Sequence, residues 1–321
     1  KRIPFLDRLN IPSAVIGGLL FANFVLLTRD KFVNFQFDTT MQSLFMVMFF
    51  TTIGMSASLP LLKTGGISVL WFLIISSVFC FVQNFTGMAI AYAFDVHPLL
   101  GVMAGSVTLV GGPATGLAFA PLFEESGLSG AAVLAITSAT FGITFGGITG
   151  GPVGTWLINK YKLRSKSKSE RELEKELSDE AETIKVDIES EDSSLIVNLI
   201  VVAIAMGLGS IVSYYFQSLG WTLPAYIGAM MVASLFRNLD DKTGWLKVDQ
   251  KTMELVGGIA LNIFLVVALM NLKLWELFNL AIPLFTILAA QVVVAILFSL
   301  FVYRVMGKNY DAAVMSSGFI G

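Results

Sequence analysis

Charge is scarce in this chain. Only 14% of the 321 residues are Asp, Glu, Lys or Arg, 55% are apolar, and mean hydropathy is +0.77. That balance lies outside the range of ordinary soluble domains. Uncharged runs extend over Leu9–Thr28, Thr39–Leu62, Thr64–Phe94, Ser126–Asn159, Ser193–Phe236, Leu255–Leu272 and Leu277–Tyr303. A bilayer-spanning helix needs about 20 apolar residues, so the fold class is an all-α polytopic membrane protein. Cysteine is nearly absent: Cys80 stands alone, which excludes an intrachain disulfide. The single histidine, His97, precedes Pro98 at a helix end and reads as interfacial, not catalytic. No carboxylate sits mid-span, where proton-coupled antiporters keep one. There is neither a nucleophile–base pair in the spans nor a phosphate-binding loop, so the chain reads as no enzyme and carries no ATP drive. No basic patch interleaved with aromatics indicates a nucleic-acid partner.

What remains is a succession of apolar helices, expected near 11–28, 39–61, 66–94, 130–159, 194–217, 223–237, 252–270 and 277–306. The anomaly lies between them, over 97–124. Within the 28 uncharged residues Val96–Phe123, the stretch Gly105–Gly116 reads Gly-Ser-Val-Thr-Leu-Val-Gly-Gly-Pro-Ala-Thr-Gly. Glycine costs a helix about 1 kcal/mol and proline about 3. In hydrocarbon, broken backbone persists only where protein buries it or a watery cavity receives it. Such a break is where a transporter would hold a small hydrophilic solute. Between 160 and 192 the composition turns hydrophilic, Lys-rich and then acidic, which reads as a solvated linker with a charged helix over Ser169–Lys185.

Echoes link the two sides of that linker. Ile11-Pro12-Ser13-Ala14 matches Leu223-Pro224-Ala225-Tyr226, Gln83 matches Gln291, and Val102-Met103 matches Val314-Met315, at offsets of 212, 208 and 212. The expected organisation is therefore an N-terminal repeat over 1–159 with a re-entrant hairpin at 97–124, a linker over 160–192, and a C-terminal repeat over 193–321. With the hairpin returning to its own side and the linker cytoplasmic, 18 Lys and Arg fall inside and three outside, namely Arg29, Lys31 and Lys273. A full crossing by 97–124 gives a poorer split of 16 against five. Five crossings then separate each position from its mate. The repeats thus have inverted topology, as in many secondary transporters.

Candidate ligand groups cluster on the break. Gly111, Gly112 and Gly116 permit close backbone approach, and Pro113 withholds an amide from an upstream carbonyl. Ser106, Thr108 and Thr115 supply hydroxyls, and Ala114 completes the turn. Elsewhere, Gln83 and Asn84 place two amides mid-helix, and Thr140 stands among Thr137, Ser138 and Thr144. Gly142, Gly146, Gly150 and Gly154, spaced by four, form a ridge suited to close helix packing.

These residues resemble the sodium/glutamate symporters. The likeness is carried by Gly17-Gly18-Leu19-Leu20, Thr52-Ile53-Gly54, Gln83-Asn84, Gly105-Ser106-Val107-Thr108-Leu109, Ala139-Thr140-Phe141-Gly142 and Gly150-Gly151-Pro152-Val153. It continues in Ala268–Leu277 and Met306–Val314. The resemblance implies sodium-driven uptake of L-glutamate across a bacterial inner membrane by a multi-pass homodimer. In it, a core domain with two re-entrant hairpins moves against a scaffold domain, elevator fashion. It implies no cofactor, with sodium as the coupling ion held by hairpin backbone carbonyls. The family's first hairpin reads Gly-Gly-His-Gly-Thr-Gly, whereas this chain has Gly111-Gly112-Pro113-Ala114-Thr115-Gly116. A carrier of the same fold for another dicarboxylate or amino acid therefore stays open, as does an ion channel built on broken helices. The 212-residue offset sets the mate of Gly111–Gly116 at 323–328. The chain is accordingly expected to be truncated at both ends, lacking a first helix, most of a second hairpin and a last helix.

Overall fold

The computed structural model describes residues 13–28, 35, 37, 38, 40–162, 188–221, 223, 224, 226–246, 248–272, 280–307 and 318, and among these there is no strand. The Ser169–Lys185 stretch and the Val314-Met315 echo lie outside the described residues. The helices are α1 Ser13–Thr28, α2 Thr40–Met55, α3 Leu59–Ala93, α4 Leu99–Val102, α5 Gly112–Glu125 and α6 Ala131–Lys160. They continue with α7 Ile188–Ser218, α8 Tyr226–Thr243, α9 Gln250–Met270 and α10 Ala281–Val305. A five-residue π-helical segment, Met103–Val107, follows α4 directly.

Among the described residues, five stretches are long and apolar enough to cross a bilayer: Val69–Ala93, Ala131–Lys160, Leu195–Ser218, Gln250–Met270 and Ala281–Val305. The shorter α1 and α2 are apolar as well. Large apolar side chains such as Trp71, Phe81, Phe85, Ile204, Ile211 and Leu297 face outward, as a lipid-facing surface requires. The sequence suggests one helix over 39–61, but the structure divides it. Here α2 ends at Met55, and α3 begins at Leu59 with Pro60 in its first turn, because proline is accepted where no intrahelical amide is needed. Ser58, just before, is extended at φ −95°, ψ 125°. Gly66, at φ 62°, ψ −155°, then breaks α3 into a short leading piece and the long span.

The helices pack as two groups. In the first, α2 is central, touching α7, α8 and α9, while α1 lies on α9. Phe50 of α2 stacks on Tyr226 of α8 at 3.8 Å between ring centroids. Asp249 caps α9 by accepting from the Thr252 amide at 2.9 Å, and its own backbone amide donates to Asn198 Oδ1 of α7 at 3.1 Å. In the second group, α3 and α6 flank α4 and the π segment, and α10 packs on both α3 and α6. Leu100, Met103, Leu134, Leu284 and Ile287 form its apolar centre. The groups meet where α5 lies on α9, through Ala114, Leu117 and Ala118 against Phe264, Leu265 and Leu269.

Candidate functional site

The anomalous segment folds as a helical hairpin. Its first arm is α4 with the π segment, and its second is α5; at 1.5 Å per residue neither arm covers the roughly 30 Å of a bilayer core. The ends of the hairpin meet: the space beside the Gly127 Cα lies 3.6 Å from the His97 Nε2. His97 is exposed at this mouth, and its Nδ1 accepts from the Leu99 amide at 3.3 Å.

The tip owes its shape to three local features. Gly105 leaves helical geometry at φ −108°, ψ −132°. The Met103 carbonyl, released by the wide π turn, accepts from Thr108 Oγ1 at 2.6 Å. Gly112 then takes φ +74°, a left-handed conformation that disfavours any side chain. Pro113 comes next, in the first turn of α5, where the absent amide costs no helical bond. The proline thus starts a helix, and the break lies immediately before it.

Two neighbours hold the tip. On α3, Asn84 Oδ1 accepts from both the amide and the hydroxyl of Ser106, at 3.0 and 2.9 Å. On α6, Gly142 leaves room for Leu109, and a Cβ at Gly142 would stand 2.7 Å from its Cδ2. Gly142 of the α6 glycine ridge is therefore the seat for the hairpin tip, and Gly146, Gly150 and Gly154 farther along the ridge are buried. Beneath the tip, α3 and α10 cross at the two glutamines. Gln291 Nε2 donates to the Gln83 backbone carbonyl at 2.7 Å, and both side chains are buried.

A cavity of about 430 Å³ lies among these parts. Its walls include Gln83, Ser76 and Phe79 from α3, Thr108, Leu109 and Gly112 from the tip, Phe141 and Gly142 from α6, Gln291 from α10, and Gly318. No described wall residue is ionisable. The Gly112 wall is the N-terminal end of α5, where backbone amides and the helix dipole favour an anion. A second cavity, of about 520 Å³, lies between the two groups with Gln42, Glu124, Ser129 and Asn271 on its wall.

Of the sequence candidates, Gln83, Thr108 and Gly112 line the first cavity. Ser106 and Asn84 sit beside it, bonded to each other. Thr115 packs beside Gly111, and Gly116 is closed over by Thr108 and Ala135. Pro113 lies in the first turn of α5, while Ala114 is buried in the apolar contact with the first group. Thr140 is half-buried on α6, its carbonyl accepting from Thr144 Oγ1 at 2.8 Å. Sequence reasoning placed Gln291 only as an echo of Gln83; their contact across the crossing makes it part of the site. Ser76 gave no signal, being one serine among the apolar residues of a long helix.

Among known proteins, a family model described as "Sodium/glutamate symporter" matches residues 1–321. A protein of Haemophilus influenzae named sodium/glutamate symporter is 37% identical over 324 residues, covering 100% of this chain and 80% of its own length. Proteins of the same name from Escherichia coli and Shigella flexneri are each 35% identical over 325 residues, covering 99% of this chain and 79% of theirs. No solved structure gives a significant match.

Proposed function

This chain belongs to the sodium/glutamate symporter family, and from that premise we propose that it imports L-glutamate across the bacterial inner membrane, driven by sodium, in an elevator-type cycle. The observation that carries the site assignment is the uncharged cavity under the hairpin tip, with an α-helix N-terminus on one wall and two buried glutamines on another. An amino acid presents an anionic and a cationic end, and the cavity offers an electropositive helix end and neutral oxygens. Ser106, Thr108, Gly111–Gly116, Thr140, Gln83 and Asn84 are assigned to binding substrate and ion or to shaping that pocket.

In this reading α3, the hairpin, α6 and α10 form the moving core, and α1, α2, α7, α8 and α9 the scaffold. The hairpin is re-entrant, the 160–192 linker is cytoplasmic, and two copies associate through scaffolds. The join between α2 and α3 supports the division. Its chain is tied to the scaffold: Asn238 Nδ2 donates to Ala57 O at 2.9 Å, Asn238 Oδ1 accepts from Leu59 N at 2.8 Å, and Ser58 Oγ donates to Asp241 Oδ2 at 2.6 Å. Beyond this anchor, the Gly66 break separates the tied end from the long span that enters the core. A pivot there would let one body move while the other stays fixed.

The test is uptake of labelled glutamate into proteoliposomes under an imposed sodium gradient. Saturable accumulation that collapses when potassium replaces external sodium is expected. Gradient-independent uptake would overturn the coupling, and single-channel currents in a planar bilayer would replace the carrier with a channel. The substitution of Pro113-Ala114 in the hairpin favours a second reading, a different dicarboxylate or amino acid as cargo, which competition of labelled glutamate by a substrate panel decides.

A further inference from the structure

Two amide oxygens are left without a partner where α3 crosses α10. Gln83 and Gln291 are 2% and 1% exposed, and neither Oε1 receives a hydrogen bond. Native interiors leave few buried acceptors in this state, because each forfeits its hydration. The orientation of Gln291 is fixed: its Nε2 donates to the Gln83 backbone carbonyl at 2.7 Å, and a flipped amide would set oxygen against oxygen. The hydroxyls on the same cavity wall have already spent their protons. Thr108 Oγ1 donates to Met103 O at 2.6 Å and Ser76 Oγ to Phe72 O at 2.7 Å. A hydroxyl carries one proton, so each has only lone pairs left for a guest. The four residues that carry these oxygens, Gln83, Gln291, Thr108 and Ser76, all line one cavity that has no ionisable described wall residue.

The geometry points to a site for one dehydrated monovalent cation, sodium, held between Gln83 Oε1 and Gln291 Oε1 and completed by the lone pairs of Thr108 and Ser76. This assignment rests on the sodium-coupled reading above and gives the ion its residues on this chain. Uncharged amide and hydroxyl oxygens suit small hard cations. Packing closes both amide oxygens to water-sized contact. A bare ion, smaller than water, fits such a place, whereas the ammonium of an amino acid would have to bring its carbon skeleton with it. The two glutamines also come from opposite halves of the sequence, so a cation shared between them ties α3 to α10 and tightens the floor beneath the hairpin tip.

The experiment follows thermal unfolding of the purified full-length protein by tryptophan fluorescence. Sodium chloride replaces choline chloride at constant ionic strength, without glutamate. The wild-type protein is expected to melt higher as sodium rises; a flat response without glutamate overturns the site, and one that stays flat when glutamate is added sinks the sodium-coupled reading itself. Gln83→Leu keeps the backbone carbonyl that Gln291 binds, so it is expected to match wild type in choline. It should then need at least about tenfold more sodium for half-maximal stabilisation, the equivalent of one lost contact to a charged group. Gln83→Glu keeps an oxygen and adds charge, and is expected to reach its half-point at lower sodium than wild type. A wild-type sodium response in Gln83→Leu overturns the site. So does a variant that keeps the sodium response but loses stabilisation by added glutamate, which would give the pair to the substrate's ammonium. Should Gln83→Leu not fold, Gln83→Glu decides alone, and an unchanged half-point overturns the assignment.

Discussion

Alanine at Gly101 would strike backbone. The arm α4 crosses α3 glycine on glycine: a Cβ at Gly101 would fall on the Gly87 carbonyl and the Met88 amide, and one at Gly87 on the Gly101 carbonyl. No flexible side chain can yield there, so relief requires the helices to part. Overpacking costs about 1–3 kcal/mol, and a rigid neighbour puts this case at the upper end. Alanine returns about 1 kcal/mol of helix propensity, leaving a net loss of about 2 kcal/mol. Functional loss should exceed that figure. Gln83 and Asn84 lie one turn from Gly87 on the same helix, so parting the helices draws Asn84 away from Ser106. Gly207 of α7 supplies the control, since nothing lies within 4 Å of its added Cβ. Gly101→Ala is expected to lower sodium-driven uptake in proteoliposomes at least about thirtyfold, as about 2 kcal/mol implies, and to lower the melting temperature. Gly207→Ala should transport and melt like wild type. Equal behaviour of the two variants in both assays would refute the backbone crossing.

Asn84→Ala strands the half-buried Ser106 amide at a cost of up to about 1–3 kcal/mol, and a double-mutant cycle with Ser106→Ala in thermal unfolding should give coupling of about 0.5 kcal/mol or more; additive losses would deny the bond. Gly112→Ala must hold φ +74°, costing about 1–2 kcal/mol, and should depress uptake while the same change at Gly258, with nothing within 4 Å, does not. Thr115→Trp, beside Gly111 in the first turn of α5, is expected to abolish uptake at normal expression, and unchanged uptake would remove the tip from the site. Asn238→Ala releases two bonds to the α2–α3 join. On the elevator reading it changes the maximal uptake rate and leaves the half-saturating glutamate concentration alone, which initial-rate kinetics reads directly.

Most helices were legible because charge marks their ends, although the uncharged runs Thr39–Leu62 and Ser193–Phe236 each hold parts of two helices. Boundaries were less legible. Pro60 lies within the uncharged run Thr39–Leu62, and hydropathy does not register that it ends one helix and begins another. The hairpin announced itself through Gly105–Gly116, yet its closure depends on facts that composition does not carry, such as Asn84 reaching Ser106 across 22 residues of sequence. Gln291 shows the limit well. Its spacing from Gln83 hinted at duplication, but only the crossing of α3 and α10 turns that spacing into contact. Thr140 was chosen from its neighbours in sequence, whereas a 3.6-residue period puts Ala139 and Gly142 on the cavity wall instead.

The scarcity of charge bears finally on coupling. A lone glutamate anion entering a cavity without an ionisable described wall residue would exchange water for dipoles alone, and burying an uncompensated charge is costly. The α5 N-terminus offsets part of that cost, at about 0.3–2 kcal/mol. A lone cation beside the glutamines meets the opposite imbalance. Bound together, the two charges attract in a medium of low dielectric, where the interaction is several times stronger than in water. Each cargo is thus the other's counter-ion, supplied from solution and not by a fixed side chain. On the proposed function, sodium held by the glutamines favours entry of the anion, and the two cargoes together are bound more tightly than either alone. One sodium per glutamate gives a neutral complex that gains nothing from membrane potential. Each further sodium adds about 2.3 kcal/mol per 100 mV, together with about 1.4 kcal/mol per tenfold sodium gradient. The glutamine pair accounts for one ion. A voltage-dependent accumulation of glutamate would therefore require a second cation elsewhere in the carrier, and uptake independent of voltage would fit a single site between Gln83 and Gln291.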